Sequence, residues 1–313
     1  MQPDFLLRMV RRTTLIARLV AILTLGWCQG AFADAPPQRL PSAVIIYPLI
    51  VVEGNGAVTD TRVELVNLSN RAVNLGCIYV PADFCSGFDF HVVLTPNQPI
   101  SWLASRGTFN GFTAVPPFSS TGELKCIVEP DEESIAAHNT VQGRAAVFGI
   151  DGQTIGYSAV GFLRLTDGPL TNEIDLDGVT YTQCPDEQHF IFLASDPTSP
   201  PTESELVIAP CTEDLENLNT TTTVVQIKVI NEFEEQFSAS ISVTCFLRRN
   251  LDDISHIFTR SVLGSDTGHL VLRGVQSPIL AMVVDRFLTP PAPATAGNEP
   301  ALRGGRSAQI RIP

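Results

Sequence analysis

The sequence predicts an all-β fold of two antiparallel β-sandwich domains that follow a cleaved signal peptide. Short stretches of alternating apolar and polar residues succeed one another and are separated by Gly, Pro and Asn turns. Six cysteines lie after residue 33, an even number that suits disulfide pairing outside the cytoplasm. No stretch has the periodicity of a long amphipathic helix.

Residues 1–33 have the features of a secretory signal. Arginines precede the short apolar run Leu19–Trp27, and Ala31-Phe32-Ala33 predicts cleavage before Asp34. A membrane anchor is the alternative, but the run is too short for about 30 Å of hydrocarbon. We therefore expect an exported protein that is periplasmic, on the cell surface or extracellular, with no transmembrane segment in the mature chain.

The first predicted domain covers residues 34–195. Tyr47-Pro48 interrupts its first apolar run, which predicts an edge or bent strand because proline lacks a ladder donor. Asp-Gly pairs at 151–152 and 177–178 predict two hairpins. The expected strands are Val44–Val52, Arg62–Val66, Ala72–Val80, Phe88–Leu94, Ile100–Leu103, Gly122–Val128, Gln142–Ile150, Gln153–Leu165, Glu173–Leu176 and Val179–Thr182.

A proline-rich polar segment at residues 196–204 predicts a linker to a second domain at 205–288. The strands expected there are Glu205–Ala209, Thr223–Ile230, Ser238–Leu247, His256–Leu263, Gly268–Gly274 and Ile279–Phe287. Residues 289–313 are rich in Pro, Ala and Gly and then in Arg, which predicts a flexible tail. A last edge strand at Ser307–Ile312 is the alternative.

The cysteines are interpreted as a disulfide framework. Cys77, Cys126 and Cys245 fall on the apolar faces of their strands, where a cysteine can join the two sheets of a sandwich. We expect the pairs Cys77–Cys126 and Cys211–Cys245, which leaves Cys85–Cys184 between loops, although position alone leaves other pairings open. Zinc binding is disfavoured because no C-x-x-C or H-x-x-x-H spacing occurs.

Three stretches carry a resemblance to other proteins, namely Val63–Tyr79, Phe88–Trp102 and Val225–Cys245. Together they resemble an uncharacterised family of exported bacterial β-rich proteins. The first half is also similar, more loosely, to the immunoglobulin-like modules of cell-surface proteins. The resemblance implies immunoglobulin-like sandwiches, and it implies no activity and no catalytic residue.

Two short motifs are candidate sites. Glu173, Asp175 and Asp177 match the first half of a calcium loop, but Cys184 stands where the bidentate Glu belongs, so a plain hairpin is the competing interpretation. The acidic segment Glu232-Phe233-Glu234-Glu235 lies between two predicted strands. It is interpreted either as a cation or ligand patch at the rim of the sandwich or as a bulged or extended strand pairing with solvated acids.

The net charge of −13 opposes binding to nucleic acid or anionic lipid. No catalytic motif is visible and no cofactor is expected, apart from the calcium candidate above. The sequence therefore favours a non-enzymatic exported protein with a structural or binding role, whose partner is a protein or a glycan. The alternatives are a secreted carboxylate-based hydrolase, such as a glycoside hydrolase, and an envelope assembly subunit that uses its C-terminal tail or an open sheet edge.

Overall fold

The computed structural model describes residues 40–109, 112–113, 115–129, 139–149, 153–167, 171–198, 201–220, 222–288, 294–298 and 300–312. The predicted signal peptide lies outside these residues. Most of the described chain is in β-strands, and nearly all strand pairs are antiparallel, so the prediction of an all-β antiparallel fold is confirmed. No helix among the described residues is long and apolar enough to cross a membrane.

Two sheets are formed by the first half of the described chain. Sheet I has the spatial order β11 (Val160–Phe162), β1 (Val44–Val51), β8 (Thr121–Glu129), β3 (Val73–Pro81) and β4 (Phe88–Leu94). Sheet II has the order β10 (Thr154–Ser158), β9 (Val141–Gly149), β2 (Thr59–Asn67) and β5 (Pro99–Leu103). A short two-stranded ribbon joins β6 (Thr108–Phe109) to β7 (Phe112–Thr113).

Three further sheets come mainly from the second half. Sheet III contains β12 (Glu173–Leu176), β23 (Ala308–Arg311) and β15 (Glu213–Asp214). Sheet IV has the order β17 (Gln236–Val243), β16 (Thr223–Asn231), β19 (Thr267–Gly274), β13 (Cys184–Leu193) and β22 (Ala301–Arg306). Sheet V has the order β18 (Leu247–Asn250), β14 (Thr202–Pro210), β20 (Ile279–Phe287) and β21 (Ala294–Asn298).

Three apolar cores hold these sheets together. One core lies between sheets I and II, where the indole N–H of the buried Trp102 donates to the hydroxyl of Tyr79 at 2.8 Å. A second core lies between sheets IV and V and includes Phe192 and Phe258 in an edge-to-face contact. The third core joins the other face of sheet I to sheet III, and Ile46 and Ile310 are fully buried there.

Enclosure on both faces explains the long apolar run at the start of the described chain. All eight residues of β1 are buried, as are seven of the nine residues of β8. A strand enclosed in this way has no solvent face, so its sequence does not alternate. The register of β1 against β8 shifts between Tyr47 and Ile50, on either side of Pro48. The strand is therefore bent, as predicted, but it is an inner strand and not an edge.

The expectation of two separate immunoglobulin-like sandwiches is not met. Strand β13 was assigned to the first domain, yet it pairs with β19 of the second and with β22 of the predicted tail. Strand β14 begins at Thr202, inside the predicted linker 196–204. The five sheets of the described chain interlock in this way, and Pro36–Pro313 forms one compact unit in place of the domains predicted at 34–195 and 205–288.

Two predicted strands are absent because local hydrogen bonds or burial favour other structures. Residues 179–182 form no hairpin with β12, since the Asp177 carboxylate accepts the backbone N–H groups of Val179 and Thr180. Residues 256–263 form a 3₁₀ turn (His256–Phe258) and the short helix α2 (Arg260–Leu263), which follow the helix α1 (Leu251–Ile254). The buried Phe258 and Leu263 are five positions apart, a spacing that would place them on opposite faces of a strand.

Most of the described residues after position 293 lie in paired strands, and not in the flexible tail expected for 289–313. Strand β22 pairs with β13, and β23 pairs with β12, which agrees with the alternative of a last strand at 307–312. The side chain of Arg306 also donates to the carbonyl oxygens of Gly274, Val275 and Gln276. The described C-terminal strands are therefore part of sheets III and IV.

Of the three expected disulfides, Cys77–Cys126 is confirmed. It joins directly opposed residues of β3 and β8 within sheet I, and so does not tie two sheets together as expected. The other two expected pairs, Cys211–Cys245 and Cys85–Cys184, are wrong. The structure instead pairs Cys85 with Cys245 and Cys184 with Cys211. The spacing of the cysteines could not predict these two pairs. Each pair joins parts of different sheets, and sequence order does not show which sheets lie next to each other.

Candidate interaction surface

The predicted calcium ligands each have a separate protein partner. Glu173 and Asp175 lie on β12, where Glu173 pairs with Arg311 and Asp175 accepts the side-chain amide of Gln309 at 2.7 Å. Asp177 accepts the two backbone N–H groups of its own turn. In the part of the chain that the structure describes, no three His, Cys, Asp or Glu side chains are arranged for a metal ion. The geometry thus gives the calcium interpretation no support.

The acidic segment 232–235 forms a tight loop between β16 and β17, and Asn231 organises it. The side-chain oxygen Oδ1 of Asn231 accepts the backbone N–H groups of Phe233 and Glu235, each at 2.9 Å. Its amide nitrogen donates to the Glu235 carboxylate and to the carbonyl oxygen of Leu263, each at 2.8 Å. Phe233 is 69% exposed. Residues 232–235 are therefore a tight turn with exposed acids, and not the bulged or extended strand pairing given as the alternative to a ligand patch. Asn231 at the strand end was the sequence signal for the turn.

Carboxylates also line a groove of about 280 Å³ bordered by residues of sheets I, II and V. Arg286 contacts Glu203 at 3.2 Å and Glu205 at 2.8 Å. Arg248 contacts Glu205 at 2.8 Å and Glu53 at 3.2 Å. General acid–base catalysis needs a carboxyl group that is free to exchange its proton with substrate. Because each of these carboxylates is held by an arginine, the groove fits an ion-pair network better than a hydrolase site.

The outer face of sheet IV is open to solvent and carries a mixed polar surface. A shallow depression of about 800 Å³ lies on it, lined by residues of β16, β17 and β19 that include Gln226, Lys228 and Arg273. Beside this depression, the rings of His189 and His269 stack, with Nδ1 of His189 3.1 Å from Nε2 of His269. Burial and the charge of nearby groups lower the pKa of His189, so the His189 ring is neutral near pH 7.

One edge of sheet IV is strand β17, and it lacks the usual protection of an edge strand. Its residues alternate between exposed and half-buried from Gln236 to Ser242, and no described strand pairs with its free side. It contains no charged residue and no proline. The other described edge strands longer than five residues are charged, since β4 carries Asp89 and β22 carries Arg303 and Arg306. Natural sheets usually block open edges with such residues.

Side chains on the two faces of β17 differ in character. Ser238, Ser240 and Ser242 point to the outer face, while Phe237, Ala239 and Ile241 pack partly into the core between sheets IV and V. A strand added to this edge would therefore extend the apolar inner layer with its alternate side chains. Sequence analysis predicted the strand itself but missed its position at the edge, because pairing partners are set by topology.

Comparisons with known proteins add little to this description. No protein-family model matches the chain, and no curated protein matches it in sequence. A crystal structure of the Thermotoga maritima protein 1070 aligns with a TM-score of 0.31 and 9% sequence identity, over 40% of this chain and 99% of that one. A similarity at this level carries no argument about fold or function.

Proposed function

We propose that the chain is a non-enzymatic exported protein with a binding or structural role, and that it binds by adding a partner's β-strand to the free edge of β17. The observation that carries this proposal is the eight-residue edge without charge or proline. An open edge offers a row of backbone N–H and C=O groups to an extended peptide, and the side-chain positions beside it give specificity.

The chemistry of the edge describes the partner. An arriving strand would place alternate side chains beside Phe237, Ala239 and Ile241, so these should be apolar and β-branched. The side chains between them would lie beside the serines of the outer face and should be small or polar. The partner is thus an extended polypeptide segment in which apolar and polar side chains alternate. This is the assembly-subunit alternative of the sequence analysis, with an open sheet edge as the binding site and not the C-terminal tail.

Export is supported by the cysteines and by the predicted signal. All six cysteines after residue 33 are paired in the structure. Disulfides form and persist in oxidising compartments such as the periplasm and the extracellular space. The proposed site of action is therefore the cell envelope or beyond it.

The proposal is tested with a labelled peptide that copies residues 223–231, the sequence of β16. This strand already packs antiparallel beside β17 with Val225, Ile227 and Val229 opposite Ile241, Ala239 and Phe237. We expect the peptide to bind the purified mature protein, as measured by fluorescence anisotropy. Ser240→Lys should weaken this binding at least about tenfold, because lysine on an edge opposes strand pairing.

Gln226→Lys is the matched control, since it adds the same charge to the same exposed face of an inner strand. It should leave peptide binding unchanged. Absence of binding by the wild-type protein, together with a monomeric sedimentation profile, would contradict the proposal. Equal losses in both variants would indicate that the polar face, and not the edge, attracts the ligand, as expected for a glycan.

A further inference from the structure

A lysine and two glutamates form a closed charged cluster between sheets I and III, and we refer to Glu123, Lys125 and Glu213 as the buried triad. Glu123 and Lys125 lie on β8, two positions apart and thus on one face, and Glu213 lies on β15. The lysine Nζ is 2.6 Å from an oxygen of Glu123 and 2.5 Å from an oxygen of Glu213. The exposed fractions of the three side chains are 0%, 0% and 8%.

The surroundings of the triad are apolar. Lys125 is opposite Ile46 of β1 and Ile78 of β3, and both isoleucines are buried in the core between sheets I and III. The described residues offer Glu123 no hydrogen-bond donor apart from the lysine. A buried ion costs several kcal/mol unless its partners satisfy it fully, and this triad has few partners.

Burial fixes the charge states of the triad. Burial, followed by the negative charge of Glu213, raises the pKa of Glu123 well above its usual range, although Lys125 opposes this shift. Glu123 is therefore a neutral carboxylic acid at neutral pH. Burial lowers the pKa of Lys125, but the two neighbouring carboxyl groups raise it above its usual value. An amine, a carboxyl group and a neutral acid are thus confined together with little access to solvent.

We propose that the buried triad is a self-modification site at which Lys125 and Glu213 condense into an isopeptide bond, with Glu123 as the proton-transferring acid. The geometry that carries this proposal is the direct contact of Nζ with both carboxyl groups inside an apolar core. Such a bond would join β8 of sheet I covalently to β15 of sheet III.

The condensation balances without any external reagent. A proton first passes from the ammonium of Lys125 to the carboxylate of Glu213, with which Nζ is in direct contact at 2.5 Å. The neutral Nζ then attacks the carboxyl carbon of Glu213 and forms the C–N bond. Glu123 donates its proton to the departing hydroxyl and recovers one from the nitrogen. An ammonium and a carboxylate thereby become an amide and one water molecule.

The folded state favours this condensation in two ways that are absent for the free groups in water. Fixed proximity of amine and carboxyl group replaces a bimolecular encounter, and such pre-organisation accounts for a large part of many rate enhancements. The product amide is neutral, so it removes the cost of two buried charges. The disulfide Cys184–Cys211 ends two residues before Glu213 and holds the start of β15 in place.

The test is the intact mass of the mature protein after reduction and denaturation. We expect a mass one water molecule below that of the linear sequence, and a proteolytic fragment in which the peptides that contain Lys125 and Glu213 remain joined. Glu123→Gln keeps both reacting groups and removes the acid, so the full mass should return. Lys125→Met keeps most of the side-chain volume and should also give the full mass.

Glu213→Gln tests whether residue 213 is the one that reacts with Lys125, because condensation with a glutamine side chain releases ammonia and not water. This variant should be lighter than its own linear sequence by one ammonia. A folded wild-type protein with the full mass would overturn the proposal. A mass loss mapped to Glu123 and Lys125 within one peptide would overturn the choice of Glu213 as the reacting carboxyl group.

Discussion

Sheets I and IV each have five strands, yet their surroundings differ. Sheet I is covered by sheet II on one face and by sheet III on the other, and every residue of β1 is buried. Sheet IV is covered by sheet V on one face only, and β16 alternates between buried and exposed residues. The comparison shows that the second face of a sheet, and not the strand itself, decides whether its sequence alternates.

The same difference decides what a polar residue must do. Lys228 on β16 reaches solvent, whereas Lys125 on β8 is fully buried and contacts two carboxyl groups. A charge on a strand enclosed on both faces needs partners inside the protein. The open sheet can therefore bind an external strand, while the enclosed sheet provides a dry site for the buried triad.

The largest expected effect concerns the bond that joins these two regions. Cys85 follows β3 of sheet I, Cys245 follows β17 of sheet IV, and the pair closes a loop of 160 residues. Replacing both with alanine should lower the free energy of unfolding by about 4–5 kcal/mol, because the unfolded chain gains entropy. Chemical denaturation measures this loss. Each single alanine variant should lose nearly as much as the double variant, and a double variant within about 1 kcal/mol of wild type would contradict the expectation.

The second prediction tests double-sided enclosure directly. Ile45→Ala and Ile46→Ala change neighbouring residues of β1 that face opposite cores, so each should cost about 2–5 kcal/mol. On β16, Ile227→Ala should cost a similar amount, but Lys228→Ala should stay within about 0.5 kcal/mol. Denaturation in urea measures all four. A neutral result for either isoleucine of β1 would show that one face of sheet I is not well packed.

Local sequence patterns predicted most of the strands of this fold, but they could not predict which distant strands pair with one another. Period-two alternation located β16, β19 and β9 closely, since each has one solvent face. The apolar run Val44–Val52 predicts a strand, which the structure has at Val44–Val51. Pro48 predicts an edge or a bent strand, because no sequence signal shows that a second layer covers it. The predicted domain boundary is wrong because β13 pairs with strands more than 70 residues away along the chain, and no local sequence signal shows such pairing.

The interaction surface and the triad were less predictable than the strands. Alternation indicates that Lys125 shares a face with Glu123, but it cannot show that Glu213 arrives from another sheet. Likewise, the composition of β17 shows that it lacks charge, but only the strand order shows that it is an edge. The acidic turn at Glu232–Glu235 attracted attention by composition alone, and the residue that matters there is Asn231.

The third prediction concerns that turn, at the solvent end of the open sheet. Asn231→Ala removes the side chain that satisfies two backbone N–H groups, so it should cost about 1–3 kcal/mol. Phe233→Ala, in the same loop, should stay within about 0.5 kcal/mol because this ring is 69% exposed. Thermal unfolding of the two variants measures the contrast. A larger loss for Phe233→Ala would show that the exposed ring packs against something in solution.

The last prediction is the pH dependence of stability that the enclosed sheet should show. Burial is the main cause that raises the pKa of Glu123, to about 8 in the triad before any bond forms between Lys125 and Glu213, and burial remains once they are joined. An unfolded glutamate has a pKa of about 4.3. Between these values the folded chain binds one proton more than the unfolded chain. This contribution to stability is complete below about pH 4, and it is lost as the pH rises towards 8, by up to about 1.4 kcal/mol per pH unit.

Glu123→Gln cannot ionise, so its free energy of unfolding should lack this downward slope between about pH 5 and 8. Lys228→Gln, on the open sheet, should retain the slope of the wild-type protein because its side chain is solvated. Urea denaturation at a series of pH values measures all three proteins. Identical slopes for wild type and Glu123→Gln would mean that Glu123 is ionised in the folded state, and the contrast between an enclosed and an open sheet would then not extend to their charges.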